Sequence, residues 1–298
     1  MMTSQNLAFV LDEVVSGIAY EAFYEDQFMM PLLYDVRTSE RKRERLASLA
    51  GLTLYSQKTN GAEPASDNVI QEFEKDFIHV SYGKKVSIER ELVDDEEWGL
   101  LVDVGQQIGM LAAQTMEVTA AAAWSDFFTG ATYKAEDNLS VCNSAHLNVD
   151  AGNSQSNTGT SDLDFAGIKA ARIAMRKFTN YRGDKMSVHP KLLVVPTDLE
   201  EVAWEMIRST GKPDTANNNA NMYNGMFDLV VWDFLTDTNA WFMVDPRLMK
   251  LNLIWFQRIA LEVFGDGNLF TGTRNIGGYY RAALGVRDWR WIYGNNPS

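Results

Sequence analysis

The segment at residues 94–130 carries the longest uninterrupted helical pattern in the chain and contains no proline. It opens on the acidic run Asp94, Asp95, Glu96 and Glu97. Acidic residues suit the positive end of a helix dipole, either aspartate can be the N-cap, and Gly130 can end the helix. At about 1.5 Å per residue, a helix over residues 95–128 is roughly 50 Å long. Such a length predicts a strut on which the rest of the chain packs.

Two rows of side chains run along this predicted helix at spacings of three and four residues. The first row is mostly apolar and comprises Leu101, Val104, Ile108, Leu111, Thr115, Val118 and Ala122. The second row is mostly small and comprises Gly105, Gly109, Ala112, Met116, Ala120 and Ala123. A glycine inside a helix costs about 1 kcal/mol relative to alanine, so the small row predicts that another backbone packs closely there. Polar residues such as Asp103 and Glu117 interrupt the apolar run and argue against a membrane span.

The charge balance limits the classes of partner. The 298 residues include 27 lysines and arginines against 40 aspartates and glutamates, a formal net charge of −13. Such a charge opposes non-specific attraction to nucleic acid or to an anionic membrane. The one cysteine, Cys142, excludes an intrachain disulfide framework. No basic segment followed by an apolar run opens the sequence, so we expect no signal peptide and a cytoplasmic product.

The first fifty residues predict a helix followed by an extended arm. Residues 6–23 have a helical apolar pattern, and Pro31 then stops a helix within the apolar stretch FMMPLLYDV. The dense basic run RTSERKRER follows at residues 37–45, where Thr38 or Ser39 could cap a second helix. Glutamates interleave this run and no aromatic residue lies in it, which favours a solvated or subunit-contacting face over a nucleic-acid site. The candidate contact residues of this face are Arg41, Arg43 and Arg45.

Residues 51–93 predict a long β-hairpin that projects from the body. The segments LTLYSQ and FIHVSYGKKVSIEREL alternate in the β manner on the two sides of a polar tip that is rich in turn-forming residues. A projecting hairpin has too few neighbours to be stable alone, so it predicts contact with a partner molecule. The candidate contact residues at the tip are Thr59, Asn60, Gly61, Ala62, Glu63 and Pro64.

The rest of the chain mixes helices and strands, which makes the fold class α+β. DLDFAGIKAARIAMRKF predicts an amphipathic helix with a basic face, KLLVVP predicts a buried strand, and TDLEEVAWEMIRS predicts a helix capped by Thr197. MFDLVVWDFL and AWFMVDP predict two strands joined by the turn TDTN. Residues 251–298 alternate apolar and polar positions with glycine punctuation, as expected of three or four strands.

No catalytic constellation is evident. His79, His146 and His189 lie far apart, and Cys142 forms only a lone pair with His146, so we expect structural roles for all of them. Two alternatives stay open. A metal-dependent hydrolase would use the acidic residues 94–97 with His79. A β-rich glycan-binding module would stack sugars on tryptophans for which core packing is the default, namely Trp241, Trp255, Trp289 and Trp291. We expect no metal, no other cofactor and no enzymatic activity.

The order and wording of these segments resemble tailed-phage major capsid proteins of the Hong Kong 97 fold, and most closely the Mu-like major head subunits. The resemblance covers roughly residues 15–295. Its most specific parts are LLVVP followed by a helix, the strand pair that ends in WFMVDP, and the terminal DWRWIYG. Two departures matter. No helical scaffolding region precedes the arm, which predicts a separate scaffold, and nothing supports isopeptide cross-linking through Lys58, Lys84 or Lys85.

The resemblance implies a division of the chain and a function. It implies an N-terminal arm at 1–50, an extended loop at 51–93 over a neighbouring subunit, a peripheral domain at 94–160 and 251–298 with a spine helix at 94–130, and an axial domain at 161–250. Identical chains would form hexamers and pentamers that close into an icosahedral shell around double-stranded DNA. The expected partners are further copies of the chain, a scaffolding protein, a portal, decoration proteins and packaged DNA held non-specifically, with no membrane. The expected location is the virion, after assembly in the cytoplasm of a bacterial host.

Overall fold

The computed structural model describes residues 4–25, 28–49, 55, 57–61, 63–64, 66, 71–89, 91, 99–147, 152, 154–212, 219–267 and 273–297. The helices within these ranges are α1 (Ser4–Glu25), α2 (Met30–Leu33), α3 (Gly99–Asp126), α4 (Phe165–Met175), α5 (Glu200–Arg208) and α6 (Pro246–Asn252). The strands are β1 (Asp35–Thr38), β2 (Arg43–Leu49), β3 (Gln71–Ile78), β4 (Val80–Ile88), β5 (His146–Leu147), β6 (Ser154–Gln155), β7 (Thr158–Gly159), β8 (Leu192–Val195), β9 (Asp228–Val231), β10 (Trp241–Val244), β11 (Leu253–Gly267), β12 (Arg274–Val286) and β13 (Ile292–Asn295).

Two sheets organise the body, and two antiparallel strand pairs, β2 with β3 and β5 with β6, lie beside them. The four-stranded sheet has the order β1-β11-β12-β4, with β1 parallel to β11 and the other neighbours antiparallel. The five-stranded sheet has the order β7-β13-β10-β8-β9 and carries α5 as the crossover between the parallel strands β8 and β9. Strands β8 and β10 are buried along their whole length, which explains their all-apolar sequences LLVV and WFMV. The three predicted C-terminal strands are confirmed as β11, β12 and β13.

The long helix α3 joins the two sheets through one continuous core. Trp124, near its C-terminal end, makes edge-on contacts with Trp232, Phe242 and Trp291, with ring centroids 6.1, 5.2 and 5.7 Å away. The four tryptophans proposed for a glycan platform are all buried, namely Trp241, Trp255, Trp289 and Trp291. Core packing, the default prediction for these tryptophans, is therefore confirmed, and the glycan-platform alternative is wrong, because a sugar cannot stack on a ring enclosed by protein.

The small-residue row of α3 does what the sequence predicts, because helix α1 packs along it. A Cβ on Gly109 would lie 2.1 Å from the backbone oxygen of Ala19, and one on Gly105 would lie 3.1 Å from that of Val15. At the other end the predicted stop is confirmed, since α3 ends at Asp126 and Gly130 has φ of +62°. The predicted start at residues 94–97 lies outside the described residues.

The N-terminal region departs from the prediction at two places. Pro31 does not stop a helix, because it lies in the first turn of α2. Proline is tolerated there, since a backbone N–H in the first turn has no acceptor within the helix. The run at 37–45 forms no helix, and neither Thr38 nor Ser39 is a cap, because β1 pairs with β11 and β2 pairs with β3. Cross-strand hydrogen bonding here overrides a helical pattern of only one or two turns. Further along, Thr197 does not cap α5, because it opens a 3-10 turn and its hydroxyl donates to Asp233 at 3.0 Å.

The predicted hairpin exists, but its first strand lies earlier in the chain than expected. Strand β2 at Arg43–Leu49 pairs antiparallel with β3 at Gln71–Ile78. Of the expected first arm at 52–57, residues 52–54 and 56 lie outside the described residues, and Tyr55 and Gln57 are not in a strand. The predicted alternation after the tip is confirmed from residue 77 to residue 80, where Phe77 and His79 are buried while Ile78 and Val80 are exposed. It is wrong further along β4, where Ser81 is exposed and Ile88 is buried.

Candidate assembly surfaces

The base of the β2–β3 hairpin is anchored on the body of its own subunit by one aromatic side chain. Phe77 is buried against Phe256, with ring centroids 5.1 Å apart at an angle of 71°. It also fills the space left by Gly285, where a Cβ would lie 2.7 Å from the Phe77 ring. The next inward residue, His79, accepts or donates a hydrogen bond at 2.9 Å to the Ser39 hydroxyl. Burial, and then the nearby cations, lower the pKa of His79.

The outer face of the same hairpin carries a ladder of exposed ion pairs. Arg45 binds Asp76 through two hydrogen bonds of 2.7 and 3.0 Å and approaches Glu74 at 2.9 Å, while Arg43 reaches Asp76 at 3.3 Å. The hydrogen bond from Arg45 holds the pKa of Asp76 below its usual range, and the same contact raises the pKa of Arg45. Arg41 differs, since its backbone oxygen accepts from Arg258 while its side chain is exposed.

The described residues of the hairpin tip are all exposed. Thr59 and Asn60 lead into a turn at Gly61, whose φ of +83° is a left-handed conformation that glycine adopts without strain. Glu63 and Pro64 follow, whereas Ala62 lies outside the described residues. Among the described residues, none of these tip side chains forms a hydrogen bond or ion pair with the body, so the structure does not bring the tip together with Arg41, Arg43 or Arg45.

A cavity of about 300 Å³ separates the hairpin from the body. Lys75 of β3 and Lys134 of the loop after α3 both line it, together with the aromatic rings of Tyr82 and Tyr133. Burial, and then the charge of Lys134, lower the pKa of Lys75. Among the described residues that line this space, no nucleophile has a partnered base.

His146 and Cys142 are buried and have structural roles. His146 is fully buried, stacks on Trp289 at 4.1 Å, and bonds Asp137 at 2.5 Å and the Val141 backbone oxygen at 3.2 Å. Burial raises the pKa of the Cys142 thiol. Within the described ranges no three His, Cys, Asp or Glu side chains are grouped to hold a metal ion. The hydrolase alternative has no support there, and its acidic residues 94–97 lie outside those ranges.

A family model described as phage capsid protein matches residues 74–295, which is most of the chain. The chain belongs to the phage capsid protein family. It has the function of a major capsid protein, a structural component of a phage head. No curated protein sequence shows a significant match to it. Among the described helices of this capsid protein, none is long and apolar enough to cross a membrane.

Solved phage structures share the fold of this capsid protein. A chain of Microbacterium phage Oxtober96 is 13% identical, the match covers 92% of each chain, and the TM-score is 0.57. The capsid of Cyanophage P-SCSP1u is 11% identical over 91% of this chain and 88% of that chain, with a TM-score of 0.59. The mature capsid of bacteriophage PhiM1 is 13% identical over 92% and 89%, with a TM-score of 0.58. The fold is of the Hong Kong 97 type, as the sequence predicts.

One residue that shapes the capsid subunit escaped the sequence analysis. Glu117 is buried on the face of α3 that also carries Ala113, Ala120 and Trp124. The predicted apolar row is wrong as a buried face here, because Leu111 and Val118 are exposed. Its carboxylate accepts from the Met30 backbone N–H at 2.8 Å and from the Trp232 indole N–H at 2.9 Å. Glu117 therefore links α2, α3 and the segment after β9. The signal in the sequence is an acidic residue among small and apolar ones, which by itself argues only against a membrane span.

Proposed function

We propose that this major capsid protein assembles as hexamers and pentamers into an icosahedral shell that encloses the double-stranded DNA of a tailed phage or prophage. The single observation that carries the proposal is the family match over residues 74–295. The hairpin supports it, because an exposed tip on an anchored base is a surface built for a neighbouring molecule. Among tailed phages, we propose the Mu-like head subunits as the nearest kin, on the wording of LLVVP, WFMVDP and DWRWIYG.

We propose that the chain is divided as its family resemblance implies. Residues 1–50 form the N-terminal arm, 51–93 the extended loop, 94–160 with 251–298 the peripheral domain, and 161–250 the axial domain. The contact surfaces that follow are the tip, with Thr59 to Pro64, and the outer face, with Arg41, Arg43 and Arg45. Arg43 and Arg45 would contact a neighbour with their charges already paired within the subunit, so they contribute shape and polar hydrogen bonding more than net charge.

We propose a scaffolding protein, a portal and decoration proteins as further partners, with assembly in the host cytoplasm. The negative net charge of −13 suits a container, because a strongly basic wall would hold DNA that a motor must pack and release. No catalytic step is part of the proposal.

Electron microscopy of the purified chain tests the proposal directly. The chain is expressed alone and together with the other head proteins of its phage, each time with and without nuclease treatment. Rings of five or six copies, tubes or closed shells are expected in at least one condition, and they survive nuclease. Monomers under all conditions contradict the assembly proposal, and shells that require nucleic acid contradict the role assigned to the negative charge.

A further inference from the structure

Helix α4 carries a basic stripe on its solvent side. The basic stripe consists of Lys169, Arg172, Ile173 and Arg176, which follow one another at spacings of three, one and three residues and so share one face. The opposite face is buried in the core through Ile168, Ala171 and Met175. Ile173, an apolar residue in the middle of the cations, is 43% exposed.

Helix α5 carries an acidic stripe of the same design. The acidic stripe consists of Glu201, Trp204 and Glu205, and Arg208 ends that face one turn further on. The opposite face is buried through Ala203, Met206 and Ile207. Trp204 is 58% exposed, whereas the tryptophans of both sheets are buried.

The two stripes are not used within the subunit. In the part of the chain that the structure describes, no hydrogen bond or ion pair involves the side chains of Lys169, Arg172, Arg176, Glu201 or Glu205. The hairpin differs, because Arg45 and Asp76 there find each other on neighbouring strands. Opposite charges and an exposed apolar centre on each helix thus remain available to another molecule.

We propose that the basic stripe of one copy docks against the acidic stripe of a second copy. The inference rests on the proposed self-assembly and names the surface by which neighbours recognise each other. A second copy is the occupant because one chain carries both complementary halves, and a contact between two different patches of identical chains generates rings when the rotation closes. Trp204 lies at the centre of the proposed contact. A partly exposed tryptophan among charged residues is typical of an interface hot spot, and the face of its ring attracts an arginine guanidinium.

Cross-linking between copies tests the proximity of the two stripes. Ile173→Cys and Arg208→Cys are prepared separately, mixed during assembly, and treated with a short bismaleimide. The native Cys142 is 3% exposed, so it contributes little background. The mixture is expected to give a cross-linked dimer that joins one chain of each kind, at roughly tenfold the yield of either variant alone. Equal yields in the mixture and in the single variants overturn the proposal.

Charge reversal tests whether the contact drives assembly. The double variants Arg172→Glu with Arg176→Glu, and Glu201→Lys with Glu205→Lys, are each expected to lower the yield of rings or shells about tenfold, because like charges then meet. An equimolar mixture of the two double variants is expected to restore rings of six, in which the variants alternate and opposite charges meet, but not rings of five. The quadruple variant is expected to restore both, since its own stripes are complementary again. Lys185→Glu, an exposed site in the same half of the chain, is the matched control and leaves the yield unchanged.

The outcomes separate this inference from the proposed function. If the unaltered chain forms shells and the two double variants assemble equally well, the docking of α4 on α5 is wrong and the shell function stands. A folded quadruple variant that fails to assemble also overturns the docking. If the unaltered chain never assembles, the proposed function and this inference fall together. Circular dichroism of each variant confirms that the exposed substitutions leave the subunit folded.

Discussion

The β2–β3 hairpin and the five-stranded sheet show two ways of holding strands in place. The sheet is stabilised by large side chains that are fully buried, with Trp124 of α3 in contact with three aromatic rings. The described part of the hairpin contacts the body through a small cluster around the buried ring of Phe77, with Leu46 packed on it, and through a hydrogen bond of 3.3 Å from Arg287 to the Ala47 backbone oxygen. Its two strands are joined by exposed ion pairs, which contribute little because water solvates and screens them. The sheet core therefore carries most of the stability of the subunit, while the hairpin keeps an exposed outer face, the surface that we propose for contact with neighbouring copies.

Removing the centre of the sheet core has the largest expected effect. Trp124→Ala is expected to lower the free energy of unfolding by about 3–5 kcal/mol, because a large cavity replaces a ring packed on Trp232, Phe242 and Trp291. Urea denaturation followed by fluorescence measures it. Tyr24→Ala is the matched aromatic control, because Tyr24 is 74% exposed, and it is expected to change the same quantity by less than about 0.5 kcal/mol. Equal losses in the two variants contradict the division between core and surface.

Removing the hairpin anchor has a smaller and more local effect. Phe77→Ala is expected to cost about 2–4 kcal/mol, since it empties the contact with Phe256 and Gly285 at the edge of the body. Limited proteolysis is expected to cut within residues 50–70 faster than in the unaltered chain. Ile78→Ala is the control, because Ile78 is 73% exposed and its loss leaves both measurements unchanged. An unchanged proteolysis rate in Phe77→Ala means that the hairpin base is held by something other than this ring.

The packing of α1 on α3 gives the next effect in size. Gly109→Ala is expected to destabilise the subunit by about 1–3 kcal/mol, because the added methyl group would lie 2.1 Å from the Ala19 backbone oxygen. Gly17→Ala on α1 is the control: nothing lies within 4 Å of its added Cβ, so higher helix propensity is expected to stabilise by about 0.5–1 kcal/mol. Thermal unfolding of the two variants measures both. Shifts of the same sign rule out close helix contact as the reason for the glycine.

The sequence predicts those parts of the fold in which local pattern and burial agree. The small row of α3, the stop at Gly130, the strand LLVV and the three C-terminal strands are all present in the structure, because each has a local signal: a helical period, a glycine that adopts a left-handed conformation, a short all-apolar run, and alternation with glycines. The helix predicted over the basic run at 37–45 is wrong. The end of this run belongs to β2, whose partner strand β3 lies beyond a long tip, and pairing over that distance leaves no signal in the local sequence. The tryptophans show a related limit, since a strand pattern does not say which face is covered.

The candidate surfaces likewise contain some residues that the sequence predicts and others that only the folded chain reveals. The tip residues were predicted from turn-forming composition, and the described ones are exposed. Glu117 was not recognised as a junction, because its partners Met30 and Trp232 are distant in sequence and only the folded chain brings them together. The charged stripes of α4 and α5 are visible in the sequence as amphipathic helices, yet only the structure shows that their charged side chains form no hydrogen bond or ion pair with the described residues of the subunit.

The ion pairs of the hairpin are expected to have almost no effect on stability. Asp76→Asn removes the acceptor of Arg43 and Arg45, but all three side chains are in contact with water, so the urea midpoint is expected to stay within error at neutral pH. Because the folded state lowers the pKa of Asp76, its small contribution is present above the ordinary carboxyl pKa and is lost as pH falls through the folded value. Denaturation of both proteins between pH 7 and pH 3 measures this, and a clear loss already at neutral pH contradicts it.

Deleting the hairpin tip combines the smallest expected effect on stability with a large effect on assembly. A variant that lacks residues 57–66 loses only exposed side chains among the described ones, and shortening a loop changes its closure entropy by a fraction of a kcal/mol. Its urea midpoint is therefore expected to match that of the unaltered chain, while rings or shells fall below detection by electron microscopy. A variant in which a glycine and serine linker of equal length replaces the same ten positions is the control for loop length. If this variant does not assemble, the contact belongs to the tip side chains. If it assembles, the deletion acts through the shortened loop. Unchanged shells in the deletion variant would show that neighbours meet elsewhere, and the hairpin would then be a surface feature without a part in the shell.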